Sequence, residues 1–161
     1  MLPQSALVLL ILSLVNMSLS YDNPCTAYQD IEKIVGCGPD GYPIGYGYMM
    51  CERFQDVARQ GYFPTESGLW INRTKQFLLE EMLRTIKADP LMSCDKLQIA
   101  AYASHPPCYI KSGFCDFACE AVPGLLRVFL PDGAAGLRAV AAFADYCPSP
   151  LPKQCFEDAL S

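Results

Sequence analysis

The chain lacks most of the residue patterns that carry enzymatic chemistry. Its 161 residues include a single histidine, and no Gly-x-Ser-x-Gly, His-Glu-x-x-His or P-loop motif occurs. This residue, His105, lies beside two prolines and has no visible nucleophile or metal partner, so we expect a structural role for it. Asp40-Gly41 and Asp132-Gly133 are typical of turns, because no alternating carboxylates surround them as in a calcium loop. We therefore predict that the chain is not an enzyme and holds neither a cofactor nor a metal ion.

Basic residues are too few to indicate a nucleic-acid partner. The sequence has 12 Lys and Arg against 17 Asp and Glu, which gives a formal net charge of −5 at pH 7. No basic run is present to neutralise phosphates, so nucleic acid is not an expected partner. The same balance argues against binding to acidic lipid surfaces by charge alone. The acidity is mild, and its simplest consequence is solubility.

Long apolar runs are confined to the start of the chain. Residues 6–15 form an apolar run that is too short to span a bilayer, and the first twenty residues contain no charged side chain. Ser18-Leu19-Ser20 then supplies the small residues that signal peptidase prefers. We expect residues 1–20 to be a cleaved signal peptide and the mature chain, from about Tyr21, to be secreted without stable membrane insertion. An uncleaved anchor is the alternative.

Cysteine, by contrast, is abundant. The chain has nine cysteines, and all of them follow the predicted signal peptide. In a secreted chain this number indicates disulfide bonds rather than metal or redox chemistry. Because the number is odd, a covalent dimer or a reactive free cysteine also has to be considered.

The remaining sequence predicts an all-α fold. Valine and isoleucine alternation is absent and no internal repeat occurs, whereas apolar residues recur at helical spacing, most clearly over 66–88. We predict a disulfide-stapled bundle of about five to six short helices in one domain over 21–148, followed by a Pro-rich tail over 149–161. The other helix-length pieces cover 25–36, 48–60, 109–121, 123–130, 134–147 and the stretch that Ser93 caps and Pro106-Pro107 ends.

One glycosylation sequon stands in the mature chain at Asn72-Arg73-Thr74. The asparagine falls on the polar stripe of the predicted helix over 66–88, so its side chain should face solvent. We therefore expect a glycan on Asn72.

The segment over 38–48 is rich in tyrosine and glycine and is expected to be an irregular loop. Tyrosine is favoured in protein contacts, so the loop could form a binding surface. Such loops more often pack against their own disulfide, and we favour that interpretation.

Several ordered stretches together resemble a known family. They are Val35-Gly36-Cys37-Gly38, Cys51 with Phe54, Gly68-Leu69-Trp70-Ile71, Cys94, Cys108-Tyr109 with Lys111, Cys115, Pro123, Leu130-Pro131 and Cys147. The steps of fourteen and seven residues between the three central cysteines are the strongest part. On these residues the chain resembles the stanniocalcin family of secreted glycoprotein hormones, in a shortened, invertebrate-like form, over 25–147.

The resemblance implies how six of the cysteines pair. Two disulfides of the family are retained, and two further cysteines, whose usual partners are absent here, are expected to bond to each other. The implied pairs are Cys37–Cys51, Cys115–Cys147 and Cys25–Cys94.

Three cysteines stay unassigned: Cys108, Cys119 and Cys155. In one continuous helix Cys108 and Cys119 would lie about 16 Å apart, beyond the roughly 7 Å between Cα atoms that a disulfide allows. A disulfide between them requires a break in this helix, which Gly113 could provide. If the helix is continuous, Cys119–Cys155 is the better prediction. Cys155 also resembles in placement the cysteine through which relatives dimerise, so a disulfide-linked homodimer is considered as well.

The resemblance implies a hormone that acts by binding an extracellular protein, with a role in calcium and phosphate homeostasis. Some relatives restrain pappalysin metalloproteases, so the expected partner is a receptor or a protease. A saposin-like lipid carrier competes with this interpretation, but its cysteines would pair terminus to terminus, unlike Cys37–Cys51. A divergent secreted hydrolase would need an activated nucleophile, for which His105 in a turn is a poor candidate.

Overall fold

The structure is all-α throughout the part of the chain that it describes. This computed structural model describes residues 23–148 and Cys155, apart from the side chain of Ala144. The predicted signal peptide over 1–20 and most of the predicted tail over 149–161 lie outside the described residues. No strand occurs in the described ranges, so the prediction of a disulfide-stapled all-α fold is confirmed. The helices are α1 (Thr26–Val35), a π-helical segment (Tyr42–Tyr48), α2 (Met49–Arg59), α3 (Thr65–Ala88), α4 (Cys94–Lys111), α5 (Phe114–Phe129), a 3₁₀ turn (Leu130–Asp132) and α6 (Gly133–Asp145).

A glycine ends α1, and a proline ends α3. At the end of α1, Gly36 adopts the left-handed conformation with φ 63° and donates its N–H to the Glu32 carbonyl at 2.8 Å. The end of α3 falls at Ala88, directly before Asp89-Pro90, because the residue before a proline disfavours helical geometry. The boundaries of both helices lie within one residue of the predicted ones.

Three prolines lie inside helices, which corrects the predicted division of residues 93–130. Pro106 and Pro107 belong to α4, and Pro123 belongs to α5, so none of them ends or begins a helix. A proline inside a helix removes one backbone hydrogen bond and can bend the helix without ending it. Cys108 and Tyr109 follow the first two prolines and are each 6% exposed. Their burial stabilises the continuation of α4 beyond the prolines.

The segment rich in tyrosine and glycine is helical rather than irregular. Tyr42–Tyr48 forms a π-helical segment that continues directly into α2. Pro43 and Gly47 are buried, and a Cβ added to Gly47 would lie 2.5 Å from the Tyr28 ring. Glycine therefore permits close packing against α1 at this position. The segment packs inward, and this packing outweighs the weak helix propensity of its glycines.

The described chain divides into two compact units. The first comprises the residues up to Cys51 together with Lys75–His105. Its core is mostly aliphatic, with buried tyrosines and cysteines, and draws on α1, α3 and α4 at helical spacing. Burial of each such side chain contributes roughly 1.5–3 kcal/mol before the entropic cost of ordering it. The most deeply buried aliphatic members are Ile31, Leu79, Ile86 and Leu97.

The second unit comprises residues 52–74 and 106–148 with Cys155, and its core contains a group of packed aromatic rings. Trp70 is 1% exposed, and its ring centroid lies 6.1 Å from that of Tyr109 in an edge-on arrangement. The Tyr109 ring stacks on Phe143 of α6 with the centroids 4.7 Å apart. Aromatic pairs of this kind contribute roughly 0.5–1.5 kcal/mol beyond the area that they bury.

Both disulfides of the first unit differ from the pairs that the resemblance implies. Cys25 bonds to Cys51 and Cys37 bonds to Cys94, with Cα–Cα distances of 5.5 and 5.6 Å. The predictions Cys37–Cys51 and Cys25–Cys94 are therefore wrong. Cys25 directly precedes α1 and Cys37 follows its end, so a ten-residue helix about 15 Å long lies between them. The packing of α1 decides which of its ends meets which later cysteine, and sequence spacing does not contain that information.

In the second unit the structure pairs Cys115 with Cys147, as the resemblance implies, and Cys119 with Cys155. The latter is the pair predicted for a helix without a break, although the chain does break at Gly113 between α4 and α5. Cys155 therefore has a partner within its own chain, which corrects its proposed role in a covalent dimer. Cys108 is the cysteine outside these four bonds, and it is buried in α4.

Candidate binding surface

One histidine and three tyrosines pack together in the first unit; we call Tyr42, Tyr46, Tyr102 and His105 the histidine–tyrosine cluster, of which Tyr42 and His105 are buried. The Tyr42 hydroxyl and His105 Nε2 share a buried hydrogen bond of 2.8 Å. The Tyr46 ring stacks on the imidazole, with 5.9 Å between centroids. Tyr102 meets both other tyrosines edge-on at 5.3 and 5.1 Å. The cluster joins the π-helical segment to α4.

Burial determines the charge state of His105. Loss of solvent around the ring lowers its pKa from 6.5 to about 4, because the charged form loses hydration that the cluster does not replace. The imidazole is therefore neutral near pH 7. A general base for that pH needs a pKa close to it, so this environment favours the structural role that the sequence predicts.

One side of α4 carries large apolar side chains that face solvent. Ile99 is 70% exposed and Tyr102 is 41% exposed. Ala103 is exposed beside them, and Asp95 is exposed one turn earlier. Their spacing places all four on one side of the helix. We call Asp95, Ile99, Tyr102 and Ala103 the α4 face.

The opposite side of the same turns is buried and fixes the orientation of α4. Leu97, Ala101 and His105 recur every four residues and are at most 9% exposed. They hold α4 on the core of the first unit, so the α4 face has to point outward. The disulfide between Cys37 and Cys94 anchors the start of the helix in addition.

The two prolines add polar groups to the same region. Pro106 and Pro107 have no N–H to donate to the carbonyls of Tyr102 and Ala103, which lie four residues earlier. Both of those residues are exposed, so donors from water or from a bound protein can reach this part of the backbone. The α4 face thus combines apolar side chains with hydrogen-bond acceptors, a mixture typical of protein interfaces.

Tyr102 belongs both to the α4 face and to the histidine–tyrosine cluster. Its ring packs against the buried Tyr42 and the half-buried Tyr46, while 41% of the residue stays accessible. A side chain held in one orientation loses little rotamer entropy when a partner binds. Sequence reasoning missed Ile99 and Tyr102, although both fall outside the buried stripe that contains Leu97 and Ala101.

The predicted glycosylation site lies in the second unit. Asn72 is exposed on α3, as its place on the polar stripe predicts. Thr74 of the same sequon is buried, and its hydroxyl lies 2.6 Å from that of Ser112. The asparagine is thus accessible in the folded chain, while the threonine also contributes to packing.

The described residues contain neither a metal-binding group nor a membrane-spanning helix. Within residues 23–148 and Cys155, no group of three or more His, Cys, Asp or Glu side chains could hold a metal ion. Across the same residues, no helix combines the length and the apolar character that a membrane span requires. Comparison of the whole chain with protein-family models, with curated proteins and with solved structures finds no match.

Proposed function

We propose that this chain is a secreted protein that acts by binding another extracellular protein through the α4 face. The observation that carries the proposal is the exposure of Ile99 and Tyr102 on a helix that a disulfide and the histidine–tyrosine cluster hold in place. Tyrosine is enriched at the energetic centres of interfaces, and a rigid surface lowers the entropy lost on binding. Disulfides are typical of extracellular chains.

The narrower proposal is a stanniocalcin-like hormone with a role in calcium and phosphate homeostasis, or a relative that restrains a protease. Its support is the cysteine order from Cys94 to Cys147, including the bond between Cys115 and Cys147. The pairing of Cys25 with Cys51 contradicts the alignment on which the first half of the resemblance depends. The resemblance therefore supports the hormone proposal through residues 94–147 alone.

Site-specific photo-crosslinking tests the binding proposal. A photoreactive residue at Ala103 should capture an extracellular protein from the surface or secretions of the source tissue. Excess unlabelled wild-type chain should compete with capture, because both chains present the same face. The Ile99→Glu variant should compete at least about tenfold less well, because it places a charge in an apolar contact. The Leu69→Glu variant is the matched control, since Leu69 is 45% exposed but lies on α3 and not on the α4 face.

Equal competition by Ile99→Glu and wild type would refute the α4 face as the binding surface. Flotation with liposomes provides a second measurement on the same variants. Association with vesicles that Ile99→Glu abolishes would favour the saposin-like lipid carrier instead. Protein capture without vesicle association supports the proposal as stated.

A further inference from the structure

Helix α6 has an unusual composition for a helix with an exposed side. Of its thirteen residues, Arg138 and Asp145 are the charged ones. Gly136, Val140 and Phe143 are buried and mark the side that packs on the core of the second unit. A helix that is apolar on nearly every side is normally covered on every side.

The exposed residues of α6 lie mainly on the side of the helix opposite its buried residues. At 100° per residue, five of its exposed residues lie within an arc of about 100° opposite the buried side, and the exposed Gly133 and Ala135 flank that arc. Leu137, which the sequence places on the same face as Val140, is 44% exposed instead. We call this surface the α6 face; its members are Ala134, Leu137, Arg138, Ala141 and Asp145.

The two charges on the α6 face are arranged so that the face complements itself. Arg138 and Asp145 are seven residues apart, which puts them on one line about 10.5 Å apart along the axis. When two copies of the helix lie antiparallel about a two-fold axis midway between them, each arginine meets the aspartate of the other copy. The parallel arrangement would instead place like charges together. Ala141 lies near the axis, and its small side chain permits close approach of the two helices.

We propose that a second copy of this chain binds along the α6 face in this antiparallel arrangement. The contact is isologous, as in most homodimers. Leu137 and Ala141 supply apolar contact, and the two reciprocal ion pairs set orientation and register, since exposed ion pairs contribute little affinity by themselves. The dimer is non-covalent, because eight cysteines are bonded within the chain and Cys108 is buried. This inference is independent of the α4 face.

Sedimentation velocity of the full secreted chain over a wide concentration range tests the proposal. The wild type should show a reversible monomer–dimer equilibrium. Arg138→Asp and Asp145→Arg should each raise the dimer Kd by at least about tenfold, because each creates two like-charge contacts. The double variant carrying both changes should restore the wild-type Kd, because the pairs reform with reversed polarity. Lys96→Glu, an exposed charge reversal on α4, is the control and should leave the equilibrium unchanged.

Three results would overturn the inference. They are a monomer at every concentration, a dimer that neither single reversal weakens, and a double variant as weak as the single ones. The neutral substitutions Arg138→Gln and Asp145→Asn should raise the dimer Kd less than the charge reversals do. If a charge reversal disturbs the helix, the neutral variants provide the test instead. A dimer that persists in denaturant without reductant would be covalent and would also contradict the proposal.

Discussion

Replacing His105 with a residue that does not titrate should remove a defined part of the pH dependence of the free energy of unfolding. The ring is buried against three tyrosines, and its pKa falls to about 4 in the folded chain. In the unfolded chain the imidazole has its ordinary value of 6.5. His105 is the single histidine of the sequence, so no other imidazole contributes to this effect.

The sign and size of the effect follow from these two pKa values. Above pH 6.5 the ring is neutral in both states, and its full contribution to stability is present. As the pH falls from 6.5 to about 4, the unfolded chain takes up a proton that the folded chain does not. The free energy of unfolding then decreases by about 1.4 kcal/mol per pH unit. The total loss is about 3 kcal/mol, a large share of the roughly 5–15 kcal/mol typical of a domain.

Urea denaturation of the wild type and of His105→Gln, followed by circular dichroism, measures this contribution. Glutamine cannot be protonated, and its carbonyl can still accept from the Tyr42 hydroxyl. Carboxylates titrate alike in both chains, so the stability difference between them isolates the histidine. Between pH 6.5 and 4, the wild type should lose about 3 kcal/mol of stability relative to His105→Gln.

The Tyr42→Phe variant is the matched control for this experiment. It removes the hydroxyl that bonds to His105 but keeps the titrating ring. It should lose about 1 kcal/mol at neutral pH and keep the wild-type dependence on pH. Parallel pH profiles for wild type and His105→Gln would refute the reasoning, as would an NMR titration of the imidazole with a midpoint near 6.5.

Three other perturbations have definite expected outcomes. Gly124→Ala should destabilise the chain by about 1–3 kcal/mol, because its Cβ would collide with the Phe63 ring. The matched Gly68→Ala variant should be neutral or stabilising, because its Cβ meets nothing within 4 Å; equal urea midpoints for the two variants would contradict this. Asn72→Gln should remove the mass of a glycan from the secreted chain without loss of stability. Thr74→Ala should remove the same mass and also cost about 1 kcal/mol, because it deletes a buried hydroxyl contact; a thermal melt separates the two. Cys108 should resist iodoacetamide until the chain is denatured, and rapid labelling of the native chain would contradict its burial.

Local patterns predicted the helices because each carries its own signal. The apolar stripe over 66–88 and the stop at Asp89-Pro90 are properties of neighbouring residues, and α3 follows them closely. The prolines at 106 and 107 were misleading for the opposite reason. Their local preference is to end a helix, but the burial of Cys108 and Tyr109 against the core of the second unit continues it.

The candidate binding surface was less accessible to sequence reasoning. A structural role for His105 could be predicted because no chemical partner lies near it in the sequence. Its actual partner could not, since Tyr42 is 63 residues away and lies in a segment expected to be irregular. The outward position of Ile99 was implicit in the helical spacing of Leu97 and Ala101. Its significance emerged only when the cluster showed that the helix is fixed.

The exchange of disulfide partners in the first unit bears on ancestry more than on stability. The predicted pairs would close loops of 14 and 69 residues, and the observed pairs close loops of 26 and 57. In the loop-entropy model the two sets differ by only roughly 0.4 kcal/mol. Chain entropy therefore does not select between them, and the packing of α1 does. Non-reducing peptide mapping should find Cys25 bonded to Cys51.

A different mapping result would restore the family alignment. Peptides that join Cys37 to Cys51 would agree with the stanniocalcin resemblance over its whole length and would overturn the pairing described above. Peptides that join Cys25 to Cys51 leave the resemblance dependent on Cys94, Cys108 and the later cysteines. In that case the hormone proposal needs support from the partner itself, because a cysteine order shared over half a domain is compatible with several unrelated secreted folds.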